Sequence, residues 1–257
     1  MPTLGVALIT KNAAAHLAEC LRSVAFADRI VVLDSGSSDS TLEIAAAHGA
    51  SIASTNDWPG FGMQKNRALA LLDTDWILAI DADEVVTGEL AAAIQRAVAG
   101  SVSSVFTLRR RSSFCGQWIR QSGWYPDDVP RLFRRGAARY SDDLVHERLL
   151  FDGAAPVLDG ELLHYSYDSY EQVLAKINQY STAAALQRHG RGQQGGVAKA
   201  ALRGTWAFFR TYVIKRGFLD GGAGFAIAVM NAETTYYRFL KLALLAQPAQ
   251  LPAPEDR

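Results

Sequence analysis

Cysteine is scarce in this sequence of 257 residues. Cys20 and Cys115 are the two cysteines, and neither has a neighbour at the spacing of a metal site. Two cysteines are too few for the disulfide framework of a small secreted domain. The sequence therefore predicts a protein of a reducing compartment.

Long apolar runs are also missing. The most apolar stretch, residues 224–246, is interrupted by Asn231, Glu233, Arg238 and Lys241, whereas a membrane-spanning helix needs about 20 consecutive apolar residues. The N-terminus has no basic residue ahead of its short apolar run and no cleavage pattern of a signal peptide. We therefore expect a cytoplasmic protein with no transmembrane span.

Net charge is absent as well, because 26 basic residues balance 26 acidic ones. A neutral chain gives no indication of a surface built to hold nucleic acid. The charge is nevertheless uneven. Residues 198–245 contain seven basic residues against Asp220 and Glu233, a local excess of five positive charges.

Hydrophobic residues make up 49% of the chain, enough for a sizeable core. In the first half, strand-like and helical patterns alternate, which is typical of an α/β fold with a mostly parallel sheet flanked by helices. Strands are predicted over residues 4–10, 30–33 and 76–80, near 52, 105–108 and 131–133. Helices are predicted over residues 13–24, from 41 onward and over 63–72.

The second half has a different pattern. Residues 109–165 read as irregular and indicate a substrate-facing region rather than core. After Tyr167 the period becomes helical, with Val173, Ile177 and Tyr180 on one face, and a glycine-rich break at residues 190–196 precedes two further helices. We predict a catalytic domain over residues 1–165 and a helical extension over residues 166–257.

Polar residues end three of the predicted strands: Thr10, Asp34 and Asp81. Open parallel sheets bind ligands at the carboxyl ends of their strands, so these positions predict a ligand site.

The loop at residues 34–39, DSGSSD, follows the second of these strands. Gly36 allows a ligand close approach, and Asp34 or Asp39 can accept hydrogen bonds from a base or a ribose hydroxyl. An ordinary capped turn is the alternative, because Ser40 and Glu43 have the spacing of a capping box.

Three carboxylates follow the strand that ends near Ile80: Asp81, Asp83 and Glu84. Their mutual repulsion is costly without a cation. Mg²⁺ and Mn²⁺ bind carboxylate and phosphate oxygens together, so the cluster predicts a divalent ion held against a diphosphate. A solvated acidic turn is the alternative.

The segments VALITKN, VVLDSGSSDST, QKNRAL and ILAIDADE occur in this order on the predicted elements. Together they resemble the family 2 glycosyltransferases, inverting enzymes of the GT-A fold that use nucleotide-sugar donors. The later segments PDDVPRLFRR, LVHERL and RGFLDGGAGFAIAV resemble the bacterial subgroup that adds β-glucose to the inner-core heptose of lipopolysaccharide. The resemblance implies UDP-glucose as donor and a lipid-linked saccharide acceptor at the inner leaflet.

By this resemblance, the strand-end residues have roles in donor binding. Thr10 and Asp34 line the nucleoside site, Lys65 approaches the diphosphate, Asp81 contacts ribose and metal, and Asp83 binds the metal. Lys65 stands where the family commonly has arginine. Lysine keeps the positive charge at this position but lacks the bidentate geometry of arginine.

The motif LVHERL supplies a candidate catalytic base. An acceptor hydroxyl must lose its proton as it attacks the anomeric carbon, and Glu147 is the predicted base. Its neighbour His146 is a metal or phosphate contact by resemblance, or a structural histidine. Other carboxylates remain alternatives for the base: Asp127, Asp128, Asp142 and Asp143. Three arginines can bind the leaving phosphate or an anionic acceptor, or form a solvated face: Arg131, Arg134 and Arg135.

The C-terminal helices combine the local positive charge with aromatic residues: Trp206, Phe208, Phe209, Tyr212, Phe218, Phe225, Tyr236, Tyr237 and Phe239. Such a surface suits peripheral contact with an anionic membrane. Packing on the sheet, or a homo-oligomer interface, is the alternative.

Other functions remain open at this point. The same donor site would serve transfer to polyprenyl phosphate or to another polysaccharide. A dinucleotide-dependent oxidoreductase is disfavoured, because the first turn, TKNAAAHL, lacks the glycine pattern that grips a pyrophosphate. A non-catalytic nucleotide-sugar-binding module is disfavoured by the intact Asp81 and Asp83.

Overall fold

The computed structural model describes residues 1–141 and 147–246. It divides into two compact units. The first comprises Met1–Ser112 and Pro126–Ser166, and the second comprises Ser113–Tyr125 and Tyr167–Arg257.

Strands and helices alternate through the first hundred residues. Their bounds are β1 Leu4–Thr10, α1 Ala14–Ser23, β2 Arg29–Asp34, α2 Thr41–Ala47, β3 Ser51–Ser54, α3 Phe61–Ala70, β4 Trp76–Ala79, β5 Glu84–Val86 and α4 Gly88–Gly100. Strands then follow one another: β6 Val105–Phe114, β7 Gln117–Trp118, β8 Asp127–Arg134, β9 Ala138–Tyr140, β10 Leu149–Phe151 and β11 Val157–Tyr167. The chain continues with α5 Tyr170–Gly190, α6 Val197–Phe209, a π-helical turn Arg210–Ile214, a 3₁₀ turn Gly217–Asp220 and α7 Gly221–Leu245.

The main sheet has the strand order β3-β2-β1-β4-β8-β6-β11-β5. The pairs β3–β2, β2–β1 and β1–β4 are parallel, whereas β8 runs antiparallel to both β4 and β6. The predicted α/β fold is confirmed. Thr10 pairs with Asp34 in the ladder, so these two strand ends lie side by side.

The parallel strands are buried on both faces, which explains why they read as continuous apolar runs. One face packs on α1 and α4 through residues that include Val6, Leu8, Leu78, Leu17 and Leu21. The other face packs on α3 through residues that include Ala7, Leu33, Ile77, Ala68 and Leu72. This core fixes the carboxyl ends of β1, β2 and β4, where the candidate site lies.

The prediction that residues 109–165 are irregular was wrong, apart from the short strand predicted at residues 131–133, which lies in β8. Residues 109–165 contain most of β6 together with β8 and β11. Charged residues interrupt the apolar pattern expected of a strand, and they form ion pairs between neighbouring strands. Arg109 lies opposite Asp128, and Arg110 lies opposite Asp127. Ion pairs between neighbouring strands allow charged residues on positions that otherwise alternate polar and apolar.

Over residues 170–245 the second unit is helical, and its glycine-rich break between α5 and α6 lies where the sequence predicted it. Val173 and Ile177 are buried as predicted, but Tyr180 is 49% exposed. Ser181 and Ala185 continue the buried face instead, because a row spaced by four residues forms the ridge that packs on a neighbouring helix. Within the described part of the chain, none of the helices has the length and apolar character needed to cross a membrane.

Candidate active site

Asp34 organises the loop that follows β2. It is 1% exposed. Its Oδ1 accepts hydrogen bonds from Thr10 Oγ1 at 2.9 Å and from Ser37 Oγ, and its Oδ2 accepts from the backbone N–H groups of Gly36 at 2.9 Å and Ser37 at 2.8 Å. Burial raises the pKa of this carboxyl, but the hydrogen bonds outweigh burial and the pKa lies below its ordinary value. Protein donors contact both oxygens of Asp34, and a role for Asp34 and Thr10 in nucleoside binding stays a prediction.

Asp39 links two helix N-termini. Its carboxylate accepts hydrogen bonds from the Thr41 N–H and hydroxyl and from the Ala14 N–H. These hydrogen bonds, that of the Thr41 hydroxyl above all, lower the pKa of Asp39. Helix α2 begins as predicted after Ser40, but the predicted capping box is wrong, because the Ser40 side chain makes no capping bond and Asp39 supplies the acceptor instead. A role for Asp39 in donor binding stays a prediction.

The first turn of α3 lies between the β2 loop and Glu147. The buried Gln64 amide donates to Ser35 Oγ at 3.0 Å and to Thr55 Oγ1 at 2.6 Å. A Cβ at Gly62 would lie 1.9 Å from the carbonyl oxygen of Ser141 and 3.4 Å from Glu147 Cβ. Glycine is therefore required at position 62 for the helix to approach the Ser141 backbone this closely.

Four of the candidate residues named from the sequence meet in one ion-pair network: Lys65, Asp81, Arg131 and Glu147. Lys65 Nζ lies 3.0 Å from Asp81 Oδ1 and 3.0 Å from Glu147 Oε1. Arg131 Nη2 lies 2.6 Å from Asp81 Oδ2 and 2.9 Å from Glu84 Oε1. Strand pairing brings Arg131 here, since β8 runs beside β4. The sequence separates these residues by as many as 82 positions.

The network keeps Lys65, Asp81 and Arg131 charged. Burial raises the pKa of Asp81, but Arg131 and Lys65 outweigh burial and hold that pKa well below its usual range. Burial lowers the pKa of Lys65, and the attraction of Asp81 more than offsets it, so the Lys65 pKa is raised. The acidic cluster was predicted to need a cation, and in this structure the side chains of Lys65 and Arg131 supply positive charge to Asp81.

Glu84 is the buried anchor of the network. It is 0% exposed, accepts a hydrogen bond from the Asp81 N–H at 2.9 Å and pairs with Arg110 at 3.2 Å as well as with Arg131. A buried carboxylate is tolerated when it is paired and hydrogen-bonded in this way. The sequence indicated Glu84 as part of an acidic cluster, but the two arginines come from β6 and β8 and only strand pairing reveals them.

Asp83 differs from its neighbours, because its side chain is 42% exposed. His164 Nε2 lies 3.6 Å from Asp83 Oδ2, and the other ring nitrogen of His164 lies 2.9 Å from Ser112 Oγ. His164 was missed, since only the pairing of β11 with β5 brings it near the acidic cluster.

The fit of a divalent ion depends on these carboxylates. Across residues 1–141 and 147–246, no group of three or more His, Cys, Asp or Glu side chains is arranged to hold a metal. Mg²⁺ commonly binds through one or two carboxylates together with water and substrate phosphate. Asp83 fits such a ligand, whereas both oxygens of Asp81 contact cationic side chains.

The other candidate residues have different surroundings. Asp127 pairs with Arg110 at 2.7 Å and Asp128 with Arg109 at 3.0 Å, across β6 and β8. Arg134 pairs with Trp76, the first residue of β4, so it lies at the far end of that strand from Asp81, and the adjacent Arg135 is exposed there. Three predicted residues lie outside the described part of the chain: Asp142, Asp143 and His146.

Comparison with known proteins gives consistent matches. Residues 6–151 match the family model for glycosyl transferase family 2. LpsC, a lipopolysaccharide core biosynthesis glycosyltransferase of Rhizobium meliloti, is 30% identical over 95% of this chain and 95% of its own. An uncharacterised glycosyltransferase of Rickettsia prowazekii is 29% identical over 97% of this chain and 90% of its own. The crystal structure of S. aureus TarS 1–349 with UDP-GlcNAc has a TM-score of 0.45 and 15% identity, covering 64% of this chain and 56% of that one.

Proposed function

Because this chain belongs to glycosyltransferase family 2, we propose that it transfers glucose from UDP-glucose, with inversion, to the inner-core heptose of a lipopolysaccharide precursor. Its likeness to LpsC over nearly the full length of both chains supports an acceptor of the lipopolysaccharide core. The donor rests on the resemblance of the sequence motifs.

One observation carries the proposal: the ion-pair network of Lys65, Asp81, Arg131 and Glu147 at the carboxyl ends of the parallel strands. In an open α/β sheet this is the edge at which ligands bind. The cations Lys65 and Arg131 are suited to a diphosphate, and Glu147 is suited to a hydroxyl. The loop held by Asp34 and Thr10 borders the same edge and suits the nucleoside.

Asp83 is the proposed protein ligand of Mg²⁺ or Mn²⁺. Its carboxylate is exposed, in contrast to that of Asp81. A divalent ion supplies charge neutralisation for a leaving diphosphate. Asp81 then acts through its ion pairs, which keep Lys65 and Arg131 at the diphosphate side.

Glu147 is the proposed base. Its carboxylate lies beside Lys65 with a side chain that is 19% exposed. In the proposed reaction the acceptor hydroxyl gives its proton to Glu147, its oxygen bonds to the anomeric carbon, and the bond from that carbon to the diphosphate breaks. UDP carries away the electron pair of that bond.

The helical extension, proposed as residues 166–257, is assigned to an anionic membrane surface. Residues 172–219 contain eight Lys and Arg residues and no Asp or Glu. Large apolar side chains on α6 and the turn after it are exposed: Leu202 74%, Trp206 51%, Phe209 45% and Ile214 55%. Basic residues near anionic lipid contribute about 1 kcal/mol each, and exposed apolar side chains add to the affinity.

The test of the donor and acceptor is a transfer assay with UDP-glucose and a lipopolysaccharide precursor that lacks the inner-core glucose, with and without Mn²⁺. We expect labelled glucose in the lipopolysaccharide fraction and a rise in melting temperature with UDP-glucose, because a ligand of the native state stabilises it. Label in a short polyprenyl lipid would overturn the acceptor. No melting shift with UDP-glucose, alongside a shift with another nucleotide sugar, would overturn the donor.

A further inference from the structure

Two aromatic side chains stand exposed at the start of α3. Trp58 and Phe61 are each 49% exposed, and their ring centroids lie 4.9 Å apart with the planes at 89°. Burial of such large apolar rings is favourable. A neighbouring pair left half in water therefore indicates a surface that meets a ligand.

The loop that presents these rings is tied to α3. Asp57 accepts two hydrogen bonds from Arg67, both at 2.8 Å, and Thr55 accepts one from Gln64 at 2.6 Å. Gly60 has a φ of 106°, a conformation that favours glycine and sets the turn into the helix. The rings are thus preorganised, which reduces the entropy lost when a ligand binds.

The position of Phe61 relates the pair to the proposed base. Gly62, the next residue, lies against Ser141 and Glu147, and Lys65, one helical turn further on, pairs with Glu147 at 3.0 Å. Residues four apart share a helix face. Phe61 therefore stands on the same side of α3 as the lysine that holds Glu147.

We propose that Trp58 and Phe61 form a stacking platform for a sugar ring of the acceptor. This inference rests on the proposed function, because it takes Glu147 as the base for the acceptor hydroxyl. A pyranose ring has an apolar face of C–H bonds and a rim of hydroxyls. The face of an aromatic ring contacts the C–H face of the sugar, while the hydroxyls at the rim stay accessible to the Glu147 carboxylate.

The platform complements the charged network. The charged side chains of Lys65, Asp81 and Arg131 interact with charged groups of a ligand. None of them offers an apolar surface to an uncharged sugar ring. Aromatic rings on the side of α3 that carries Lys65 orient the acceptor by contact area, and binding that fixes orientation lowers the barrier to attack.

The test measures binding of lipid-free core oligosaccharide, released from lipopolysaccharide by mild acid, to the full chain in the presence of UDP. We expect Trp58→Ala and Phe61→Ala each to raise the Kd by about three- to tenfold, the scale of one aromatic stacking contact. Trp58→Phe restores most of the affinity because it keeps a ring. Met63→Ala is the matched control, since Met63 is 43% exposed on the same helix two residues on, and it leaves the Kd unchanged.

Each other outcome overturns a defined part of the inference. Equal affinity for the oligosaccharide in the parent and both alanine variants would refute the stacking platform and leave the proposed function standing. Weaker UDP-glucose binding with unchanged oligosaccharide binding assigns the rings to the donor. Lost flotation with anionic vesicles, with unchanged oligosaccharide binding, assigns them to a lipid surface. Absence of oligosaccharide binding by the parent protein removes the proposed acceptor, and the platform with it.

Discussion

At the scale of single residues, the carboxylates of the candidate site differ in what surrounds them. Asp34 is buried under four hydrogen bonds, Asp81 is held between two cations, and Asp83 is exposed. Similar side chains within one site can therefore be assigned separate tasks, and substitution of each one has a different expected result.

The lowered pKa of Asp34 makes the free energy of unfolding depend on pH. Its pKa is lowered in the folded protein, so its hydrogen bonds contribute stability above the unfolded pKa of about 3.9, and that stability is lost as the pH falls further. We expect the free energy of unfolding to fall between about pH 5 and pH 3, and to fall less in Asp34→Asn. Urea unfolding at several pH values measures this, with the exposed Asp159→Asn as control. An identical pH dependence in the parent and Asp34→Asn would contradict the prediction.

Asp83→Asn tests the proposed metal ligand. We expect it to remove most transfer activity at limiting Mn²⁺ and to weaken Mn²⁺ binding in calorimetry with UDP, because a charged ligand is lost. The fold should survive, since the Asp83 side chain is 42% exposed. Asp73→Asn, at a site 78% exposed, is the control for loss of a surface charge. Parental turnover by Asp83→Asn at limiting Mn²⁺ would remove the assignment.

Glu147→Gln tests the proposed base. The amide keeps the size of the side chain but takes no proton, so we expect turnover to fall by about a hundredfold or more. Affinity for UDP-glucose should remain, which calorimetry on the same variant measures. Loss of both would make Glu147 a donor-site or structural residue. Turnover near that of the parent would transfer the role to one of the other candidates: Asp127, Asp128, Asp142 or Asp143.

At the scale of elements, the close approach of α3 to the segment that carries Glu147 depends on Gly62. A Cβ at this position would meet the Ser141 carbonyl at 1.9 Å, and a backbone atom cannot move away cheaply. We expect Gly62→Ala to lower the free energy of unfolding by about 2 kcal/mol or more, the cost typical of overpacking. Gly88→Ala on α4 meets nothing within 4 Å and should be neutral or stabilising by up to about 1 kcal/mol. Denaturant unfolding of both variants measures these changes. If Gly62→Ala were as stable as the parent protein, the contact with the Ser141 carbonyl would relax at little cost.

Elements also differ in how well their sequence predicted them. The strands β1, β2 and β4 are buried on both faces, so their apolar runs identified them directly. The apolar parts of β6 and β8, at residues 105–108 and 131–133, were predicted as strands. Their charged parts, which bear ion pairs such as Arg110–Asp127, were not. Local pattern fails over those charged parts, because ion pairs between neighbouring strands stand where apolar side chains would mark a strand.

At the scale of the whole molecule, neutral net charge conceals a basic segment at residues 172–219. We expect the protein to float with vesicles that contain anionic lipid at low salt, and to be released at high salt by screening. Trp206→Glu should reduce flotation, because it places a charge among the exposed apolar side chains of α6. Leu174→Glu on α5, where the side chain is 61% exposed, is the control. Equal recovery with neutral and anionic vesicles would show that electrostatic attraction does not contribute to membrane binding. A concentration-dependent dimer that Trp206→Glu abolishes would assign the exposed face of α6 to contact with a second copy of the chain.

The sequence by itself determined the α/β fold, the family, and the strand ends at Thr10, Asp34 and Asp81, because those features follow from local periodicity and from motifs within short segments. Only the tertiary structure decided which charges meet. Lys65, Asp81, Arg131 and Glu147 come from α3, the end of β4, β8 and the segment before β10. Strand order and register bring Arg131 to 2.6 Å from Asp81, and the position of α3 brings Lys65 to 3.0 Å from both Asp81 and Glu147. No local pattern encodes a contact between residues that far apart in the chain. The same holds for burial, which separates Asp34 from the exposed Asp83 although both lie at the carboxyl end of a buried strand of the same sheet.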